Sequence, residues 1–238
     1  MKELGTSPCL LLVLLMALVH QQIAAQDQGD SLSVVWSLER MDNIGGCTTT
    51  KLGQPILIET PLGPAIFFDG IDDGLVVQAN PLGDAVAFTV EVVFKPDSSG
   101  PGNVEQRFLH IQNPDDVNRR ILVELRHTPG QRWFLDTFIK SDSSRCTLYA
   151  ETFQHPVGKW YHAALVYEKG TMRHYVNGRE ELSGPVKYVP IEDGCTSIGV
   201  RMNQRSWFKG AIRTIRFTRR ALSTAEFLVL PAGIRCTE

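Results

Sequence analysis

The sequence predicts an all-β protein, a two-sheet antiparallel β-sandwich with one short C-terminal helix. Three observations predict it. Apolar and polar residues alternate with period two in segments spread from one end of the chain to the other, the pattern of half-buried strands. Turn-forming Gly, Pro, Asn and Asp separate those segments at short intervals, and the chain holds 20 Gly and 13 Pro in 238 residues. A balance of 43% hydrophobic and 21% charged residues is that of a globular chain, and no repeat, low-complexity linker or composition break divides it.

The N-terminus reads as an address. Lys2 is followed by an apolar run from Leu10 to Val19 and by the small residues Ala24 and Ala25, which predicts a secretory signal over 1–25. The run is about ten residues, well short of the ~20 needed to span a bilayer, and no later segment is long enough. The expectation is a single domain over 26–238, secreted or periplasmic. Beyond the signal the chain keeps Cys47, Cys146, Cys195 and Cys236, an even number in an oxidising compartment, where disulfides persist. Three connectivities are open, and Cys47–Cys236 with Cys146–Cys195 is the preferred one. No close Cys-x-x-Cys pair points to structural zinc.

The strands follow in order. Val34–Leu38, Pro55–Ile58, Ala65–Phe68 and Leu75–Gln78 come first. In Phe88–Lys95, Phe88, Val90, Val92 and Phe94 share one face while Thr89, Glu91 and Lys95 share the other, so one side is buried, and the strand stops at Pro96. Arg107–Gln112, Ile121–Arg126 and Trp133–Ile139 come next. Tyr161–Tyr167 is apolar almost throughout and suits a central strand covered on both faces. Thr171–Val176 follows after Glu168-Lys169-Gly170, and Asn177-Gly178 supplies the positive-φ residues of a tight hairpin. Ser197–Arg201 and Ala211–Phe217 complete the set. Ser223 as N-cap and Glu226 three residues on form a capping-box pattern for a helix running to Leu230, before Pro231.

Several of these strings, taken in order, resemble the laminin G-like, concanavalin A-like jelly-roll family. They are Phe68-Asp69-Gly70-Ile71-Asp72-Asp73, the Ala87–Pro96 strand, Lys159-Trp160-Tyr161-His162 through Tyr167, Tyr175-Val176-Asn177-Gly178, Ser197-Ile198-Gly199, and Phe208-Lys209-Gly210-Ala211-Ile212 closing with Arg220-Ala221-Leu222-Ser223. The resemblance covers roughly Val34 to Leu228. It implies two curved antiparallel sheets in a secreted protein that binds glycans or other proteins, sometimes through calcium at the rim. The matching residues are scaffold positions, so they indicate a fold without locating a site.

Catalysis has little support. Glycoside hydrolases of related fold need two carboxylates projecting together into a cleft, but Glu180 and Glu181 are adjacent and point to opposite faces of a strand. Polysaccharide lyases need a His or Tyr base beside carboxylate-neutralising Arg and Gln. His110 and Gln112 on one face, with Glu124 and Arg126 on another, give only a faint likeness in the wrong strand order. No Gly-x-Ser-x-Gly elbow is present. The reading is a non-catalytic binding module for an extracellular glycan, with protein adhesion as the alternative and a lyase or hydrolase third.

Two features carry the binding expectation. Oxygen-rich turns hold Asp69, Asp72 and Asp73 in one place and Asn113, Asp115, Asp116 and Asn118 in another, and such turns can ligate Ca²⁺ or simply hydrogen-bond their own backbone. From Val200 to Arg220 there are seven bases and no acid. Arg201, Arg205, Arg219 and Arg220 fall near strand ends, and guanidinium forks suit carboxylates and sulfates. Trp207 beside Arg205 could stack on a sugar ring. With 24 basic against 26 acidic residues, a net charge of −2 gives no case for a nucleic-acid partner.

Overall fold

The computed structural model describes residues 32–100, 102–232 and 234. The expected signal and Cys236 therefore lie outside the described residues. The described residues form β1 (Ser33–Ser37), β2 (Asn43–Ile44), β3 (Cys47–Leu52), β4 (Ile56–Ile58), β5 (Ala65–Asp69), β6 (Gly74–Val77), β7 (Phe88–Pro96), β8 (Glu105–Gln112), β9 (Arg120–Thr128), β10 (Arg132–Ser141), β11 (Ser144–Tyr149), β12 (His155–Pro156), β13 (Tyr161–Glu168), β14 (Thr171–Val176), β15 (Arg179–Pro185), β16 (Cys195–Ile198) and β17 (Lys209–Thr218).

They form two antiparallel sheets. The first runs β15-β14-β13-β7-β17-β5-β4, with β1 added to β17, and the second runs β11-β10-β9-β8-β16-β6-β3-β2, with β12 added to β10. Alternation on β7 decides how they meet. Phe88, Val90, Val92 and Phe94 are fully buried in the main core, and the Phe94 ring stacks on Phe108 of β8 at 4.5 Å and meets Trp133 of β10 edge-on at 5.3 Å. Aromatic pairs of this geometry add to the burial term that holds sheet on sheet.

The first sheet is covered on both sides, as the apolar run Tyr161–Tyr167 predicts. Ala163, Leu165 and Tyr167 face the main core, whereas Ala164 and Val166 pack beneath Leu222 and Phe227 of the segment that follows β17. That segment is not the expected helix. Only Thr224–Glu226 makes a single 3-10 turn, although the Ser223 N–H and hydroxyl both donate to the Glu226 carboxylate. Extended Phe227 lies over the His162 and Tyr175 rings, and the Leu228 N–H donates to buried Glu91. Those tertiary contacts outweigh a helix that would turn the apolar residues away from the sheet.

Other differences are local. β2, β3, β11, β12 and β15 lack the apolar alternation that marks a strand. β16 ends at Ile198 rather than Arg201 because Gly199 has φ +79, and a Cβ there would lie 2.4 Å from the Phe68 ring. The hairpin at Asn177 (φ 50) and Gly178 (φ 82) takes the expected left-handed pair.

The expected Cys146–Cys195 bridge is corrected, and the Cys47–Cys236 one falls outside the described residues. Cys146 and Cys195 are free, on β11 and β16, with β10, β9 and β8 between them. Four inter-strand spacings amount to about 19 Å, far beyond the ~7 Å limit for a disulfide. Cys47 is also free.

Candidate ligand-binding face

The outer face of the second sheet carries a dense ionic network. Cross-strand register sets Asp136 of β10, Glu124 of β9 and Arg107 of β8 in one row and Arg126 beside Glu105 in the next. Arg107 Nε lies 2.6 Å from Glu124 Oε2, a close charge contact without hydrogen-bond alignment. Glu105 bridges the two guanidiniums, at 3.0 Å from Arg107 and 2.9 Å from Arg126, and Arg126 Nε donates to Asp136 at 2.6 Å. Burial, then the neighbouring Asp136 carboxylate, push Glu124 up to about 8. Burial also raises Asp136. Three carboxylates against two guanidiniums leave one negative charge in excess, which a single retained proton cancels.

A bulge decides which residues share this face. The register shifts between Arg107 and Leu109, so Phe108 and Leu109 both enter the core and Arg107 and His110 both point outward. Simple alternation would place them on opposite sides. His110, Gln112, Glu124 and Arg126 accordingly share one face rather than two.

Beside the paired network lies an unpaired one. Arg120 and Arg201 have no carboxylate within ion-pair distance among the described residues, and burial followed by a neighbouring guanidinium lowers the pKa of each. The Arg120 guanidinium is over the Phe138 ring at 5.1 Å. His110 sits among them, fully buried. The Met202 N–H donates to its Nδ1 at 2.9 Å, so Nε2 carries the proton, and Nε2 has no partner among the described residues. Burial, then Arg201, Arg120 and Arg107, depress this imidazole to about 3. It stays a neutral imidazole enclosed beneath the cations, so the guanidiniums are what this face offers an anion.

The expected arginines divide. Arg201, Arg205 and Trp207 precede β17 and lie at the β8 end of this face, where Ser206 O accepts from Arg107 N and Trp207 bridges Arg107. Arg219 and Arg220 follow β17, whose length of about 30 Å separates them from the others. They are engaged with Asp84 and Glu226 respectively, so the five do not make one patch. Half-buried Trp207 walls an open recess of about 450 Å³ with Gly70, Asn103, Glu105 and Ser206. Arg107 and Arg120 were absent from the expectation, since only the bulge and the strand pairing bring them to this face.

The acidic turns are accounted for mainly by their own backbone. Asn113 Oδ1 accepts from the N–H groups of Asp115 and Asp116, and Asp116 accepts from Asn118. Asp69, Asp72 and Asp73 converge, with oxygens within 4.8 Å of one another. Buried Asp73 accepts from the Gln54 and Asp69 N–H groups and Asp69 Oδ1 from Ile71 and Asp72. Asp69 Oδ2 and the Asp72 carboxylate remain, so a calcium ion here would draw most of its six to eight oxygens from water or a bound ligand.

Comparisons with known proteins agree with this architecture. Domain 4 of AbnA, a GH43 extracellular arabinanase from Geobacillus stearothermophilus solved in complex with arabinotriose, superposes with a TM-score of 0.59 at 20% identity, over 81% of this chain and 94% of that one. A heptameric SAP-like pentraxin from Limulus polyphemus gives 0.54 at 16% identity, over 67% and 77%. The CBM40 of the Ruminococcus gnavus IT-sialidase, bound to α2,3 sialyllactose, gives 0.50 at 16%, over 74% and 95%. At these identities the likeness is one of fold. A comparison with curated protein sequences gives no match. The profile described as concanavalin A-like lectin/glucanases superfamily matches residues 69–227, which span the strands from the Asp69 turn through β17 and its covering segment, and the chain belongs to that superfamily.

Proposed function

We propose that this is a secreted, non-catalytic module that binds an acidic extracellular glycan on the outer face of β8, β9 and β10. The observation that carries the reading is the pair of half-buried guanidiniums, Arg120 and Arg201, without carboxylate partners among the described residues. Carboxylate or sulfate groups match those donors in charge and geometry. Trp207 and Arg205 at the edge supply a stacking surface and a further cation. Support from fold comes from the arabinotriose-bound domain and the sialyllactose-bound CBM40. Glu124 and Asp136 are buried and held in ion pairs with Arg107 and Arg126, which favours binding over hydrolysis. No helix among the described residues is long and apolar enough to cross a membrane.

The test is calorimetric titration with an oligouronate or sulfated oligosaccharide beside neutral arabinotriose. The R120A/R201A double variant is expected to weaken acidic-ligand binding at least tenfold, and 0.5 M salt to weaken it in the wild type, because exposed charge is screened. Equal affinity of the double variant and the wild type would overturn the reading. An EDTA arm carries the calcium expectation, since loss of binding there would point to the Asp69–Asp73 and Asn113–Asn118 turns. A second reading rests on edge strand β4, which leaves Ile56 and Leu57 exposed and could pair with a strand of a protein partner.

A further inference from the structure

Two buried carboxyls adjoin the arginines of the β8–β10 face. Glu124 of β9 and Asp136 of β10 are register partners, so both side chains leave the sheet on the same side, with Cβ atoms about 5 Å apart. Glu124 is 5% exposed and Asp136 1%. Arg126 donates to Asp136 Oδ2 at 2.6 Å, while Asp136 Oδ1 has no hydrogen-bond partner among the described residues. Two carboxyls sharing one site do not both ionise without cost. A proton retained on Glu124 removes one of the two charges and places a donor where the pair otherwise holds only acceptors.

The charges around Glu124 come from four elements. β8 brings Glu105, Arg107 and the neutral His110 to this face, β9 adds Arg120 and Arg126, β10 adds Asp136, and the segment before β17 adds Arg201. Most of them are committed to one another. Glu105 bridges Arg107 and Arg126, and Arg126 also holds Asp136. Arg120 and Arg201 make no such contact, yet both lie within electrostatic range of Glu124. The charge on this one carboxyl therefore sets the field at the two guanidiniums that have no carboxylate partner. Burial, then the Asp136 carboxylate, raise its pKa to about 8, so the proton is held at neutral pH and lost in mildly alkaline solution.

We propose that Glu124 regulates anion binding on this face: protonated, it leaves Arg120 and Arg201 to an external anion, and ionised, it competes for them from within the sheet. The inference rests on the reading of Arg120 and Arg201 as the anion-binding pair. The coupling is reciprocal. An anion held by the two guanidiniums opposes ionisation of Glu124, so binding near pH 8 draws protons from solution. The guanidiniums themselves keep their charge over this range, and His110, depressed to about 3, stays neutral.

The experiment is calorimetric titration of the folded protein with a heparin-derived tetrasaccharide, whose carboxylate and sulfate groups stay ionised between pH 6.5 and 9. Affinity is measured at pH 6.5, 8 and 9 at constant ionic strength, and at pH 8 in two buffers of different ionisation enthalpy, which counts the protons exchanged. Wild-type affinity is expected to fall about fivefold from pH 6.5 to 9, the scale of one partly screened unit charge, with net proton uptake at pH 8. E124Q is expected to bind at pH 9 as tightly as the wild type at pH 6.5, and to take up no protons. The proton count in the wild type needs no variant to fold. Binding that requires Arg120 and Arg201 but is constant with pH, binding at pH 8 without proton uptake, or an E124Q variant that keeps the pH dependence would each overturn the regulation alone. An R120A/R201A variant that binds like the wild type, or no binding at pH 6.5, would overturn the anion site and the regulation with it.

Discussion

His162 Nε2 lies 2.9 Å from Glu91 Oε1, and this pair fastens two neighbouring strands to the segment that covers them. Glu91 is fully buried. Burial alone would raise its pKa, but hydrogen bonds from His162, Arg216 and the Leu228 N–H outweigh it and hold the carboxyl below its ordinary value. Glu91→Ala leaves His162, Arg216 and an amide without their acceptor and is expected to cost about 3–5 kcal/mol, read by urea denaturation. A cost under 1 kcal/mol would mean that the covering segment is held by its apolar contacts alone.

Stability is expected to peak near pH 6.5. Burial depresses His110 and His174 to about 3, so between 6.5 and 3 the unfolded chain binds more protons and stability falls as pH falls, with a limiting slope of about 1.4 kcal/mol per pH unit per histidine. Glu124 runs the other way. Raised to about 8, it contributes stability that is full below the unfolded value and is lost as pH climbs to 8. E124Q should flatten the alkaline limb and H174N the acid one in urea titrations at pH 5, 6.5 and 8.

Thiol chemistry separates the sheet order from the cysteine count. Non-reducing peptide mapping should show no Cys146–Cys195 bridge, and C146S/C195S should shift the melting temperature by no more than about 2 °C, as expected away from a structural crosslink. A recovered Cys146–Cys195 peptide would contradict the order β11-β10-β9-β8-β16.

Gly210 tests the closure of the first sheet. Its φ is +145, and a Cβ there would lie 2.2 Å from the Lys95 carbonyl of the neighbouring strand. G210A is expected to cost about 1–3 kcal/mol through that clash, measured by chemical denaturation. Gly178, whose Cβ would meet nothing within 4 Å, is the control for backbone strain without collision.

What the sequence made legible follows from burial. β7 and β13 announce themselves because their apolar residues report one covered face or two. β3 and β15, reading CTTTKL and REELSGP, are largely exposed, and hydroxyl and charged residues carry no period to detect. The capping box at Ser223 is real as chemistry and misleading as structure, because it is satisfied by a single turn while Phe227 and Leu228 are drawn onto the sheet. The site was harder still. Arg201, Arg205 and Trp207 were accessible from local composition, but Arg107 and Arg120 join them only through the bulge at Phe108 and the β8–β9 register, neither of which leaves a mark in a linear pattern.

The position of β17 sets the order in which this molecule can be made. β7 is completed by β13 on one edge and β17 on the other, and β5 pairs with the same β17. A nascent chain therefore carries β5 and β7 with open edges until β17, more than 100 residues after β7, has been synthesised. Cooperative folding must wait for Lys209–Thr218, because distant pairing is slow to close. Until then those edges are templates for other strands. A chain truncated before residue 209 should accumulate as aggregate rather than as a smaller domain.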